Sequence, residues 1–212
     1  MECVLIEEKY IKEYIVSKLN EIKNDNIDVI DARYHHNTDY ADTPSIIKYG
    51  ILSLESINNL RIREYSKDLL STMDDTSSHI NGKNGISLAV VGLTDLYKDE
   101  FEYDPFDISR VDLLVTSELK ASRNSTNYGN EFISYSDINP NMIKSIDIRM
   151  LECLKNIKDI NELIKRYNYL REIAIELKRN SLDIPIREMS TKNNILLDKD
   201  KLIAEPVLKL KK

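Results

Sequence analysis
Residues 34–52 read YHHNTDYADTPSIIKYGIL, and the organisation of the chain turns on this stretch. Its second half, Thr43-Pro44-Ser45-Ile46-Ile47-Lys48-Tyr49-Gly50, carries the punctuation of a short helix. A hydroxyl stands at the N-cap, a proline at the first helical position where its missing N–H costs nothing, and a glycine at the stop. The spacing predicts a helix over 44–49. Just upstream, IDVIDARYH (27–35) is a short run rich in β-branched residues that reads as a strand. Two of the three histidines, His35 and His36, thereby fall where a strand end faces a helix N-terminus. Imidazole groups and the Thr38 hydroxyl can there hydrogen-bond a ligand whose anionic part lies near the helix start. An exposed pair of loop histidines is an equally ordinary outcome of the same residues.

Working outward toward the N-terminus, Ile11, Tyr14, Ile15, Leu19 and Ile22 recur at spacings of three and four within residues 7–23, one apolar stripe on a helix. On the other side, residues 54–74 read as a further helix with Leu60, Tyr65, Leu69 and Leu70 apolar, followed by the loop TSSHINGKNG (76–85). The texture then changes to strands: GISLAVVGL (85–93), RVDLLVTSEL (110–119), NEFISYSDI (130–138) and IKSIDIRML (143–151), each bounded by turn formers. From Ile157 the helical period returns through Ile160, Leu163, Ile164, Tyr167, Leu170, Ile173, Ala174 and Leu177, and it stops at RNSLDIP (179–185). The last thirty or so residues are polar and weakly patterned, with Leu196, Leu197, Leu202 and Ile203 as the anchors. Helices, then strands, then a helix make an α+β fold. The expected division is a main domain over 1–150 and a helical extension over 151–212 packed on it.

Bulk composition bounds the rest. With 212 residues, 42% hydrophobic and 31% charged, the chain can bury one sizeable core. Cys3 and Cys153 stand far apart with no CxxC or Cys/His cluster, which points away from a disulfide scaffold or a structural zinc site and toward reduced thiols. The start, MECVLIEEKYIKEY, is too charged for a signal peptide, and no apolar run approaches the roughly 18 residues of a membrane span. A soluble cytoplasmic protein without membrane contact is expected. A net charge of −6 argues against sequence-independent binding along a nucleic-acid backbone, while leaving room for a locally basic site.

Besides the histidines, two clusters carry chemistry. NGKNGISLA (81–89) is a glycine turn running into a strand that presents Ser87, a pattern also made by any hairpin entry. YGNEFISY (128–135) places Glu131 at a strand entry, a position disfavoured for Glu unless its carboxylate has a task or faces water.

Taken together and in this order, the three clusters resemble the ADP-ribosyltransferases of the poly(ADP-ribose) polymerase type, whose signature is a His, a Tyr or Ser, and a Glu on three strands. The family's first-strand His is followed by a helix of the form I-L-x-x-G-L, matched by His36 and Ile46-Ile47-Lys48-Tyr49-Gly50-Ile51. Its G-K-G-I-Y-F-A motif is matched by Gly82-Lys83-Asn84-Gly85-Ile86-Ser87-Leu88-Ala89, with Ser87 in place of the tyrosine. Its N-E-Y-I-V-Y motif is matched by Asn130-Glu131-Phe132-Ile133-Ser134-Tyr135. The resemblance spans residues 33–150, and the opening H-x-T with its helix is also similar to the DarT-like toxins that ADP-ribosylate DNA and, more distantly, to RNA 2'-phosphotransferases.

The resemblance implies a split, mainly antiparallel sheet around an NAD cleft over 28–150, with flanking helices outside. It implies an enzyme that breaks the nicotinamide–ribose bond of NAD and transfers ADP-ribose to a nucleic acid or a protein, in a toxin or phage-defence setting, with an antitoxin or inhibitor as a further partner. Glu131 would be the catalytic carboxylate for the oxocarbenium-like transition state. His36 and Thr38 would hold the adenosine ribose, with His35 as the alternative ligand. Ser87 would seat the nicotinamide end, and Tyr128 or Tyr97 would supply the ring that Ser87 lacks. Arg61 or Arg63 would neutralise the pyrophosphate, with Arg110 and Arg123 as alternatives. His36, Ser87 and Glu131 are expected to meet on adjacent strands. Two other functions compete. An NAD-using RNA 2'-phosphotransferase needs an arginine cluster, of which only Arg61 and Arg63 are close in sequence. An inactive module that binds NAD or ADP-ribose is disfavoured by Glu131 in its N-E-F-I setting.

Overall fold
The computed structural model describes residues 2–26, 30–60, 85–90, 111–123, 131–189 and 194–211. Among them the first element is a strand, β1 (Cys3–Ile6), followed by a 3-10 turn over Glu8–Tyr10 and helix α1 (Ile11–Glu21). The α1 stripe buries Ile11, Ile15 and Leu19, with Ile22 buried just past its end and Tyr14 half-buried, as its period predicts. Next come strand β2 (Lys23–Asn26), strand β3 (Tyr34–Thr38), helix α2 (Thr43–Tyr49) and helix α3 (Leu54–Leu60). The second half of the helix expected over 54–74 lies outside the described residues, with Tyr65, Leu69 and Leu70. The four strand runs appear as β4 (Ile86–Val90), β5 (Val111–Val115), β7 (Glu131–Ser134) and β8 (Ile143–Ile148), with a two-residue strand β6 (Ser122–Arg123) before β7.

Two local expectations shift. The histidines are not at a strand end: His35 and His36 are the second and third residues of β3, and a turn over 39–42 separates that strand from α2. Helix α2 starts at Thr43, one residue early, with Asp42 at the N-cap position. The Thr43 hydroxyl donates backward to the Asp39 carbonyl at 2.8 Å instead of capping forward, so Thr43 joins the helix. Its stop is as expected. The Gly50 amide donates to the Ile46 carbonyl at 2.7 Å, and Gly50 has φ +95°, where a Cβ would lie 2.4 Å from the Ile138 carbonyl oxygen. Reciprocal 2.9 Å bonds between Ile51 and Ile138 then tie the exit of α2 to the segment after β7.

The C-terminal segment is the larger correction to the expected helical extension. It holds helices α4 (Met150–Asn156), α5 (Ile160–Arg179) and α6 (Lys199–Ala204), but also strands β9 (Ile186–Met189), β10 (Asn194–Leu197) and β11 (Val207–Leu210). Helix α5 buries Leu163, Ile164, Tyr167, Leu170, Ile173, Ala174 and Leu177 in the chain's own core, while Ile160, expected to be buried, is half-buried at the first turn. Asp159 caps that turn, its carboxylate accepting the amides of Asn161 and Glu162.

The strands form a nine-stranded sheet in the order β2-β10-β9-β8-β5-β3-β4-β7-β6 and a separate two-stranded ribbon, β1-β11. Every pairing in the large sheet is antiparallel except β8 with β9, and the residues between those two include α4 and α5, the long crossover that parallel neighbours require. The architecture is therefore mixed α+β with a mostly antiparallel sheet. Side chains of α1, α2 and α5 join those of β3, β4, β5 and β8 in one buried cluster. No described helix is long and apolar enough to cross a membrane.

Candidate functional site
The sequence motifs meet in the half of the sheet that runs from β5 to the β6 edge. Strands β3, β4 and β7 are consecutive neighbours, so His36, Ser87 and Glu131 occupy three adjacent strands. Strand β3 pairs with β5 along its whole length, Tyr34 with Val115 through Thr38 with Val111. Strand β4 likewise pairs with β7 from Ile86 with Ser134 to Ala89 with Glu131. Between β3 and β4, by contrast, there are only two rungs, Tyr34 with Val90 and His35 with Ala89. The sheet is thus joined at one end of this pair and open at the other, with His36, Asn37 and Thr38 on one side of the opening and Ile86, Ser87 and Leu88 on the other.

His36 bridges that opening. Its Nδ1 lies 3.0 Å from the Ser87 carbonyl oxygen, and a carbonyl can only accept, so Nδ1 carries the proton. In the neutral ring Nε2 is then the acceptor nitrogen. His36 is half-buried, Ser87 exposed and Thr38 buried. Alternation puts Tyr34, His36 and Thr38 on the face of Leu88, Leu113 and Ile146, which turn into the core, with the Tyr34 ring 5.5 Å from that of Phe132 between centroids, while Ser87 points to the opposite face, the one that His35 takes.

His35 has a different surrounding. It is 4% exposed, and its Nδ1 lies 3.4 Å from Asp112 Oδ1 on β5. The backbone register nevertheless puts Glu131, Ala89 and His35 in one row across β7, β4 and β3. Two strand spacings separate the Glu131 and His35 backbones, about 10 Å. The choice between His35 and His36 that the residues left open therefore becomes one between a buried, aspartate-held imidazole and a half-buried one at the opening.

Arg61, Arg63, Tyr128, Tyr97 and Arg110 lie outside the described residues, as do Gly82, Lys83, Asn84 and Asn130. Arg123 is exposed on β6 opposite Phe132, one register position from Glu131. No group of three or more His, Cys, Asp or Glu side chains that could hold a metal ion occurs among the described residues.

The motifs give no hint of a polar row behind the opening, buried at its Asp147 and Arg187 end. Asn37, Asp112, Asp147 and Arg187 follow one another across β3, β5, β8 and β9. The Arg187 guanidinium grips Asp147 with two nitrogens, Nε to Oδ1 at 2.7 Å and Nη2 to Oδ2, and the Ser145 hydroxyl donates to Asp147 Oδ1 at 2.7 Å. Burial holds the Asp147 carboxyl above its ordinary value, a rise that Arg187 and Ser145 oppose without cancelling. Next to this pair, Glu188 accepts the amides of Met150 and Leu151 at 3.0 Å each, serving as an external cap for α4. The available signal was an ionisable residue inside an otherwise apolar run, as in VDLLV, SIDI and IREM.

No family model matches this chain, and no curated protein or solved structure matches it either.

Proposed function
We propose that the chain is an NAD-dependent mono-ADP-ribosyltransferase whose ligand lies along the opening between β3 and β4. The observation that carries the proposal is the placement of His36, Ser87 and Glu131 on three consecutive strands at the point where the sheet loses its rungs. Core packing alone gives no reason for a His, a Ser and a Glu from three separate motifs to fall on neighbouring strands, so that placement supports the resemblance that those motifs carry. An ADP-ribosyltransferase fold follows from the same reading, with β3 and β4 as the lips of the cleft.

In this reading His36 binds the adenosine ribose from the lip of the opening, its ring fixed by the Nδ1 bond to the Ser87 carbonyl. His35, buried beside Asp112, sets the strand behind it. Glu131 stabilises positive charge on the nicotinamide ribose as the glycosidic bond breaks and nicotinamide leaves, then orients or deprotonates the acceptor. Ser87 seats the nicotinamide end, and the acceptor is a nucleic acid or a protein.

Incubation with NAD and quantification of free nicotinamide tests the reading. Removing a carboxylate that stabilises a transition state commonly costs a few kcal/mol, so Glu131→Gln should lower turnover on the order of a hundredfold or more with little change in NAD affinity. His36→Ala should instead raise the dissociation constant for NAD. Native turnover by the Gln variant, or no nicotinamide release from the unaltered protein with a cell lysate supplying acceptors, would remove the proposal.

A further inference from the structure
The β1-β11 ribbon lies apart from the opening and differs at its two edges. Strand β11 is closed on its outer side by a side chain: Asn168 on α5 donates from Nδ2 to the Leu208 carbonyl and accepts the Leu208 amide, both at 2.9 Å, as a neighbouring strand would. Among the described residues nothing covers strand β1 in this way. Its ladder to β11 uses Glu2 and Ile6, whose carbonyls accept the Val207 and Lys211 amides at 3.0 and 2.8 Å. With that alternation the amides and carbonyls of Cys3 and Leu5 point away from β11, toward the outer edge. Cys3 is exposed, and Leu5 is 60% exposed, an apolar side chain set in water beside an open row of donors and acceptors. Natural sheet edges normally carry a charge, a proline or a cover at such a place.

Charge identifies the occupant. Glu2 stands at one end of β1 and Glu7 and Glu8 at the other. Glu7 is shared by Lys9 at 3.3 Å and Lys211 at 3.9 Å, whereas Glu2 and Glu8 have no ion pair among the described residues. A second copy fits poorly. In the two-fold register that pairs Cys3 with Leu5, Glu2 of each copy falls one position from Glu7 of the other, and each copy carries a net charge of −6.

We propose that the open edge of β1 docks an extended segment of another protein, in which apolar residues alternate beside Leu5 and lysine or arginine residues meet Glu2 and Glu8, the two carboxylates that Lys9 and Lys211 do not neutralise. Main-chain bonds to Cys3 and Leu5 supply the affinity and the Leu5 contact the specificity, as in other cases of strand addition.

The test uses the full chain, labelled with nitrogen-15, and the acetylated, amidated peptide Lys-Val-Lys-Val-Lys-Val-Lys. Its expected effect, at about millimolar peptide, is slowing of amide exchange at Cys3 and Leu5 by about tenfold or more, with the Leu208 amide unchanged. The same peptide with alternate amides N-methylated, and its Glu-Val counterpart, should leave both amides as they were. Leu5→Pro removes only an outward-facing N–H, so it should keep the β11 ladder and lose the effect. Leu5→Lys, which also leaves the ladder intact, should weaken it by charge. The proposal is overturned by absence of protection at Cys3 and Leu5, by equal protection from the methylated or acidic peptide, or by sedimentation showing that the edge is already taken by a second copy.

Discussion

Single residues hold this fold at positions where no substitute is neutral. Gly50 has a backbone conformation that side-chain-bearing residues rarely adopt, and a Cβ there would meet a backbone carbonyl, which cannot swing aside as a side chain can. Gly50→Ala should destabilise the protein by roughly 2–3 kcal/mol in a denaturant titration, through strain at α2 and loss of the Ile51–Ile138 bonds. The Asp147–Arg187 pair behaves differently, because its members matter jointly. Asp147→Leu should cost about 3–5 kcal/mol by leaving a buried guanidinium unpaired, and Arg187→Met should cost a similar amount by stranding the carboxylate. The double replacement should recover most of that loss, since neither group then lacks its partner in the interior. A double-mutant cycle measured by thermal unfolding reads this directly, and additive losses would refute it.

At the scale of an element, α4 is held from outside. Its first amides are satisfied by Glu188 on β9, a side chain with no solvent exposure. Burial is the largest influence on that carboxyl and raises it from 4.5 to about 7, although the two amides it accepts pull the other way. The sign follows from proton binding. Between these two values the folded state holds a proton that the unfolded state has released, so this group's contribution to stability is present at low pH and declines as pH rises from about 4.5 to about 7. The whole change is about 3 kcal/mol at 1.36 kcal/mol per pKa unit. Glu188→Gln keeps an acceptor oxygen and cannot ionise, so its stability relative to the unaltered protein should improve across that interval and level off above it. Chemical denaturation at a series of pH values measures this, and a pH-independent difference between the two would contradict it. Helix α5 shows the simpler case, an amphipathic stripe used by the core from Leu163 to Leu177: Leu163→Ala or Ile173→Ala should each cost about 2–5 kcal/mol.

For the whole molecule, the two ends of the chain are structurally joined. Strand β1 lies parallel to β11, and Leu208 is buried while Asn168 of α5 binds its backbone. Removing residues 206–212 should therefore expose the Asn168 amide and the inner edge of β1 together. The expected outcome is loss of amide protection across residues 2–6 with the nine-stranded sheet retained, read by hydrogen exchange; unchanged protection of β1 would show that the ribbon adds nothing to its order.

What could be read from the residues is what short-range physics decides. The α1 and α5 stripes, the glycine stop of α2 and the runs that become β4, β5, β7 and β8 all rest on spacings of two to four residues or on a single backbone conformation, and each was legible without a partner. The strands β9, β10, β1 and β11 were not, because IREM, NILL, CVLI and VLKL are four-residue segments with too few repeats to show a period. They become strands by pairing with segments far away in the chain, β9 alongside β8 and β1 alongside β11. The candidate site divides in the same way. The three motifs and their residue types lie in the sequence, but which histidine stands at the opening depends on β3 keeping its rungs to β5 while losing them to β4, a property of three strands at once. The buried pair of Asp147 and Arg187 and the cap supplied by Glu188 belong wholly to the tertiary structure, because a charge inside an apolar strand is tolerable only when a distant segment brings its counter-charge or its amides.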